Sequence, residues 1–261
     1  MSLMNPRIGC LVALLISSLS LSAYGTIVAP TNVVASSALL TGANRQPAFT
    51  IDGVGLNTTP TVANVLTVKH DEAAEEGIGS GDGLNHGGMW LTDNGGITTG
   101  VITFDLGSVM TIDKLYVWNY AEVAFANTAP MDFTDRGARN VDIYVTNSLN
   151  ASGVGGDTFI QAFTGSDEFD KAAPSPLAST NVVNTTGASW NADYNTAVEL
   201  KTFTTPFTGR YIKFNITSNW GGSHLGLSEV RFNAIPEPSA TILLVLGSLS
   251  LIRGARNRRC D

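Results

Sequence analysis

Apolar and polar residues alternate with a period of two in several short stretches of the chain, and no stretch of ten or more residues keeps a helical period. The clearest runs are 101–106, 115–118, 141–145, 158–163, 211–216 and 227–232. Such alternation is that of a strand with one face in a core and the other in water. Between the runs, Gly, Thr, Ser and Asn dominate, so the connections read as turns. Many short strands without helices predict an all-β fold, an antiparallel sandwich. Residues 56–88, with the acidic cluster Asp71, Glu72, Glu75 and Glu76, and residues 166–195, with Pro174 and Pro176, read as long surface loops.

The two ends follow a different pattern. Arg7, the apolar stretch 8–21 and the small residues of Ala23-Tyr24-Gly25 have the layout of a signal peptide over 1–25. At the other end, Pro236-Glu237-Pro238 precedes 13 apolar-rich residues, 240–252, and then Arg253, Arg256, Arg258 and Arg259. As a helix those 13 residues reach only about 20 Å of a ~30 Å hydrocarbon core. They suit a transient contact with the inner membrane, arginines on the cytoplasmic side, rather than a lasting anchor. This tripartite tail, 235–261, resembles the PEP-CTERM sorting signal of Gram-negative bacteria. The resemblance implies recognition and removal by the membrane protease-transpeptidase exosortase, and a place at the cell surface or in extracellular polysaccharide and biofilm.

Composition narrows what lies between. Residues 26–234 suffice for one well-packed domain. Cys10 and Cys260, the only cysteines, fall in the two ends, so the domain has no disulfide and rests on core burial. Without the ends, ten basic residues face twenty acidic ones, a net charge near −10. That balance argues against nucleic acid and anionic membranes as partners and is compatible with calcium.

Seven ordered segments then carry a second resemblance: Ile51-Asp52-Gly53, Met89-Trp90-Leu91, Phe104-Asp105-Leu106-Gly107 leading to Ile112, Val117-Trp118-Asn119-Tyr120, Arg139 to Tyr144, Arg210-Tyr211-Ile212-Lys213, and Leu227-Ser228-Glu229-Val230-Arg231-Phe232. Together they resemble the discoidin family, the coagulation-factor type C domain with a galactose-binding-like jelly roll. The resemblance implies a cation beside the early Asp-Gly turn, at positions matching Asp52 and Glu229. Two carboxylates and turn carbonyls suit a structural Ca²⁺, with Asp71 or Asp82 as further candidates. The alternative is that Asp52 caps a turn and Glu229 pairs with an arginine.

Sugar recognition needs an aromatic face and planar hydrogen-bonding groups. Two clusters offer them: Asn119, Tyr120, Glu122, Arg136 and Arg139, and the Gly-rich Asn219, Trp220 and His224. The competing reading puts Trp90 and Trp118 in the core, Arg139 in a buried ion pair and His224 in a polar loop. Enzyme signatures are lacking: there is no Gly-x-Ser-x-Gly elbow, no His-Glu-x-x-His and no P-loop. His70-Asp71-Glu72 reads as a solvated acidic loop rather than an acid-base cluster. The expected function is therefore a non-catalytic exported module that binds polysaccharide, the alternative being an adhesive surface protein that contacts other proteins.

Overall fold

The period-two runs become strands around one core. β5 (Gly100–Asn119) and β11 (Glu199–Ile216) form its spine, antiparallel from Glu199↔Val117 to Ile216↔Gly100. β12 (Gly226–Ile235) runs along the second half of β5, with Phe232 opposite Leu115. β1 (Thr26–Val28), β2 (Asn32–Ala35), β4 (Trp90–Leu91), β8 (Val141–Thr146) and β9 (Thr158–Ile160) complete an eight-stranded antiparallel sheet. Its order is β1-β12-β5-β11-β8-β9, with β2 on β5 and β4 on β12. β3 (Lys69–Asp71) pairs with β10 (Asn195–Ala197), and β6 (Val123–Ala126) with β7 (Ala129–Asp132). This computed structural model describes residues 25–39, 45–71, 88–126, 129–149, 158–160, 163, 167–172 and 195–236, and among them there is no α-helix.

The sheet folds back on itself. Phe104 and Leu115 are eleven positions apart on β5, ~36 Å along a straight strand. Yet the Phe104 ring lies 6.0 Å from that of Phe232, the strand neighbour of Leu115. β5 must bend between them, and it does so where Gly107 takes a φ of 81°. β11 shifts register at the same level, between Gly209 and Tyr211. The Arg210 guanidinium joins the two bends through both Asp105 oxygens, at 2.8 and 2.9 Å. These bonds hold the Asp105 carboxyl below its ordinary range, against its desolvation. Phe104, Phe214, Phe232, Ile102, Ile212 and Val230 fill the space between the two layers, an antiparallel jelly-roll sandwich.

Because both spine strands bend, both ends of each return to one end of the sandwich: Gly100 and Asn119 of β5, Glu199 and Ile216 of β11, along with the start of β12. The two runs 101–106 and 115–118, expected as separate strands, are thus halves of one bent strand. The expected loop 56–88 contains β3 and the short 3-10 turn Val65–Thr67. Residues 26–236 belong to one compact unit. Pro236 is exposed just after β12, whereas Glu237, Pro238, Arg253 and Arg256 of the expected sorting motif lie outside the described residues, as do residues 1–24 of the expected signal peptide. Among the described residues no helix is long and apolar enough to cross a membrane.

Candidate functional site

The loops gathered at this end carry the residues singled out from the sequence. Segment 120–122 follows Asn119 at the end of β5, 133–139 precedes β8, and 217–225 joins β11 to β12. The second and third are laced together through the backbone: Trp220 donates to the Gly137 carbonyl at 3.3 Å, Gly222 to that of Asp135 at 2.9 Å, and Arg139 to that of Ser218 at 2.9 Å. Glycine permits this approach, since a Cβ on Gly222 would lie 2.8 Å from the Arg136 nitrogen.

Under the loops lies a charged hub. Glu122, 4% exposed, takes the Arg45 guanidinium on one oxygen at 3.0 Å and that of Arg136 on the other at 2.8 Å. The Tyr120 hydroxyl donates to the same carboxylate. Burial, reinforced by the Glu122 charge, pushes the Tyr120 pKa up, so the phenol is neutral. Arg136 continues outward with its guanidinium carbon 3.9 Å from the centroid of Phe133. Arg45, which lies 77 positions before Glu122, was not among the sequence candidates; no local pattern links residues that far apart.

Three of the expected contact residues are bonded within the protein and support the loops. Asn119 is buried, and its amide donates to the carbonyls of Ala138 and Asp170 at 2.7 and 2.8 Å. Tyr120 is fully buried. Asn219, half-buried, staples its own loop: its amide donates to the Gly222 and His224 carbonyls at 2.8 and 2.6 Å, and its oxygen accepts from Gly221 at 3.0 Å. The polar atoms of these three are engaged inside the protein, where they hold the loops in place.

The half-exposed planar groups are Trp220, His224, Arg136 and Arg139. Arg139 stacks on Trp220, its guanidinium carbon 4.6 Å from the ring centroid, and pairs with Glu168 at 3.1 Å. Both members of that pair are about 40% exposed, so the buried ion pair anticipated for Arg139 is a surface one. His224 Nδ1 meets the Ser223 hydroxyl at 2.9 Å. Burial, with the Arg136 charge next, lowers the His224 pKa. Trp220 Nε1, His224 Nε2 and Asp135 Oδ1 are buried with no hydrogen-bond partner among the described residues, so the loop pair holds unanswered polar groups of both kinds.

The expected calcium residues are brought together at another place. Glu229 is buried and binds the Gly53 amide at 3.1 Å through one oxygen and Arg231 through the other. Burial raises the Glu229 pKa, Arg231 opposes it, and nearby Asp52 adds to the rise. Asp52 is exposed and accepts from the Val54 amide at 2.9 Å. As arranged, this donor set is an internal ion pair, and a hard cation would have to compete with the Arg231 guanidinium for Glu229. Among the described residues no three His, Cys, Asp or Glu side chains gather as metal ligands. Asp71 belongs to β3, and Asp82 lies outside the described residues.

No protein-family model matches this chain, and no curated protein matches it. Among solved structures it is similar to the family 32 carbohydrate-binding module of Clostridium perfringens NanJ in complex with galactose, at 15% identity over 80% of this chain and 98% of that one, TM-score 0.38. It is similar also to the family 32 module of AlyQ in complex with 4,5-unsaturated mannuronic acid, at 17% identity, 79% and 96% coverage and TM-score 0.39. A third is chitosan-binding module 1 from the chitosanase/glucanase of Paenibacillus sp. IK-5, at 14% identity, 78% and 95% coverage and TM-score 0.40.

Proposed function

We propose that the domain is a non-catalytic, exported carbohydrate-binding module whose site is the loop pair 133–139 and 217–225. The observation that carries the reading is the half-buried Trp220 with Arg139 stacked on it, flanked by Arg136 and His224. An indole offers the apolar side of a sugar ring a flat surface, and guanidinium and imidazole groups bond ring hydroxyls in fixed directions. The buried hub beneath keeps Arg136 in one orientation, which reduces the entropy lost on binding. The PEP-CTERM-like tail supports export, processing by exosortase and action at the cell surface or in the polysaccharide matrix of a Gram-negative bacterium.

A glycan array probed with the domain tests this, including bacterial extracellular polysaccharides and repeated with EDTA. Saturable binding that Trp220→Ala abolishes supports the module. Silence on every glycan, with retained adhesion to protein-coated surfaces, would favour a structural surface protein in its place.

A further inference from the structure

The turn after β4 holds the sequence Asp93-Asn94-Gly95-Gly96, the single Asn-Gly step in the chain. All four residues are exposed. A Cβ at Gly95 would meet nothing within 4 Å, and Gly95 and Gly96 take φ values of 127° and 74°. The Asn94 carboxamide has no hydrogen-bond partner among the described residues, while the Asn94 backbone amide donates to Asp93 at 2.7 Å. Other asparagines differ: the side chains of Asn57, Asn64, Asn119, Asn219 and Asn233 are all bonded. The related Asp52-Gly53 step differs too, because its Gly53 amide is bound by Glu229 at 3.1 Å.

We propose that Asn94 is a site of spontaneous deamidation that places a carboxylate at the rim of the loop cluster. The Gly95 backbone nitrogen gives up its proton and attacks Asn94 Cγ. The Cγ–Nδ2 bond breaks, and the amide leaves as ammonia with that proton. Water then opens the resulting succinimide at either carbonyl, giving aspartate or an isoaspartyl link; no electrons are exchanged with an outside oxidant. Glycine at 95 leaves the attacking nitrogen unhindered and the backbone free to turn. The place matters because the position of a Cβ on Gly96 is 3.8 Å from the Ser223 carbonyl, and Thr92 binds Leu225 in both directions at 2.8 and 3.0 Å. The turn therefore abuts the loop that carries Trp220 and His224. The modification does not depend on the sugar reading.

Ageing the full chain without its signal peptide in mildly alkaline buffer tests the proposal, alongside an unstructured Asn-Gly peptide. Peptide mapping should find a mass gain of one unit at Asn94 and isoaspartyl methyltransferase labelling there, well ahead of every other asparagine. Asn94→Gln should abolish the labelling, and Asn94→Ser provides a second variant of the same turn. Aged protein should also exchange the Leu225 amide faster than fresh protein. Asn94 left intact under conditions that convert the control peptide, or conversion spread evenly over the asparagines, would overturn it.

Discussion

The guanidinium of Arg139 lies against the ring of Trp220, carbon to centroid 4.6 Å, and at the same time pairs with Glu168 at 3.1 Å. One arginine thus couples the aromatic surface of the last loop to segment 167–172. Removing the indole should weaken glycan binding at least about tenfold, since a sugar ring would lose its flat apolar partner. Arg139→Ala keeps the indole and takes away a hydrogen-bond donor to the sugar worth about 0.5–1.5 kcal/mol, so it should weaken binding about two- to tenfold. Titration calorimetry on the best array hit orders the two variants; equal affinities for Arg139→Ala, Trp220→Ala and the parent would remove this surface from the site.

Glu122 is the residue on which the loop end depends for stability. Its carboxylate neutralises two guanidiniums whose side chains are 5% and 16% exposed. Glu122→Gln leaves both without a counter-charge, a change that costs about 3–5 kcal/mol when the pair is buried. Glu168→Gln removes the partner of a half-exposed arginine and should cost about 0–1 kcal/mol. Urea denaturation of both variants checks the contrast. Equal small losses would mean that the hub is held by packing rather than by charge.

The sequence made the strands legible because alternation survives as burial: β8 buries and half-buries by turns along Val141–Thr146. It did not reveal that 101–106 and 115–118 belong to one strand, since the bend depends on Gly107 and on the remote pair Asp105 and Arg210. The loops it pointed to come together in the fold, with Asn119, Tyr120 and Asn219 bonded inside the protein. Asn119 and Asn219 have the chemistry of sugar ligands, but an asparagine beside a turn can equally satisfy backbone carbonyls. Only tertiary placement distinguishes the two uses. Arg45 was out of reach for the same reason, its partner Glu122 being 77 positions away.

Calcium can be tested without knowing the ligand. Glu229 already has a cation in Arg231, so chelation should leave the melting temperature of the domain unchanged. Glu229→Gln should lower it, because the substitution strands Arg231, whose side chain is 7% exposed. A melting temperature that falls with EDTA and recovers with calcium alone would show that the cation competes successfully for Asp52 and Glu229.

His224 gives the site a pH dependence whose sign follows from its surroundings. Desolvation and the Arg136 charge depress its folded-state pKa, and Glu122 opposes them to a smaller extent. In the unfolded chain the imidazole returns to about 6.5. As pH falls through that value, the unfolded chain takes up the proton first, so acidification favours unfolding. The stability this group contributes is therefore present above pH ~6.5 and is lost as pH drops towards and through the depressed folded value. Asp105, also depressed, adds a loss of the same sign at lower pH, starting from the carboxylate range. The two are separable by substitution: His224→Gln should flatten the stability profile just below neutrality and leave the deeper acid limb intact. Melting curves across the acid range measure this, and a parent profile that matches His224→Gln throughout would show that the imidazole is solvated rather than held between the loops.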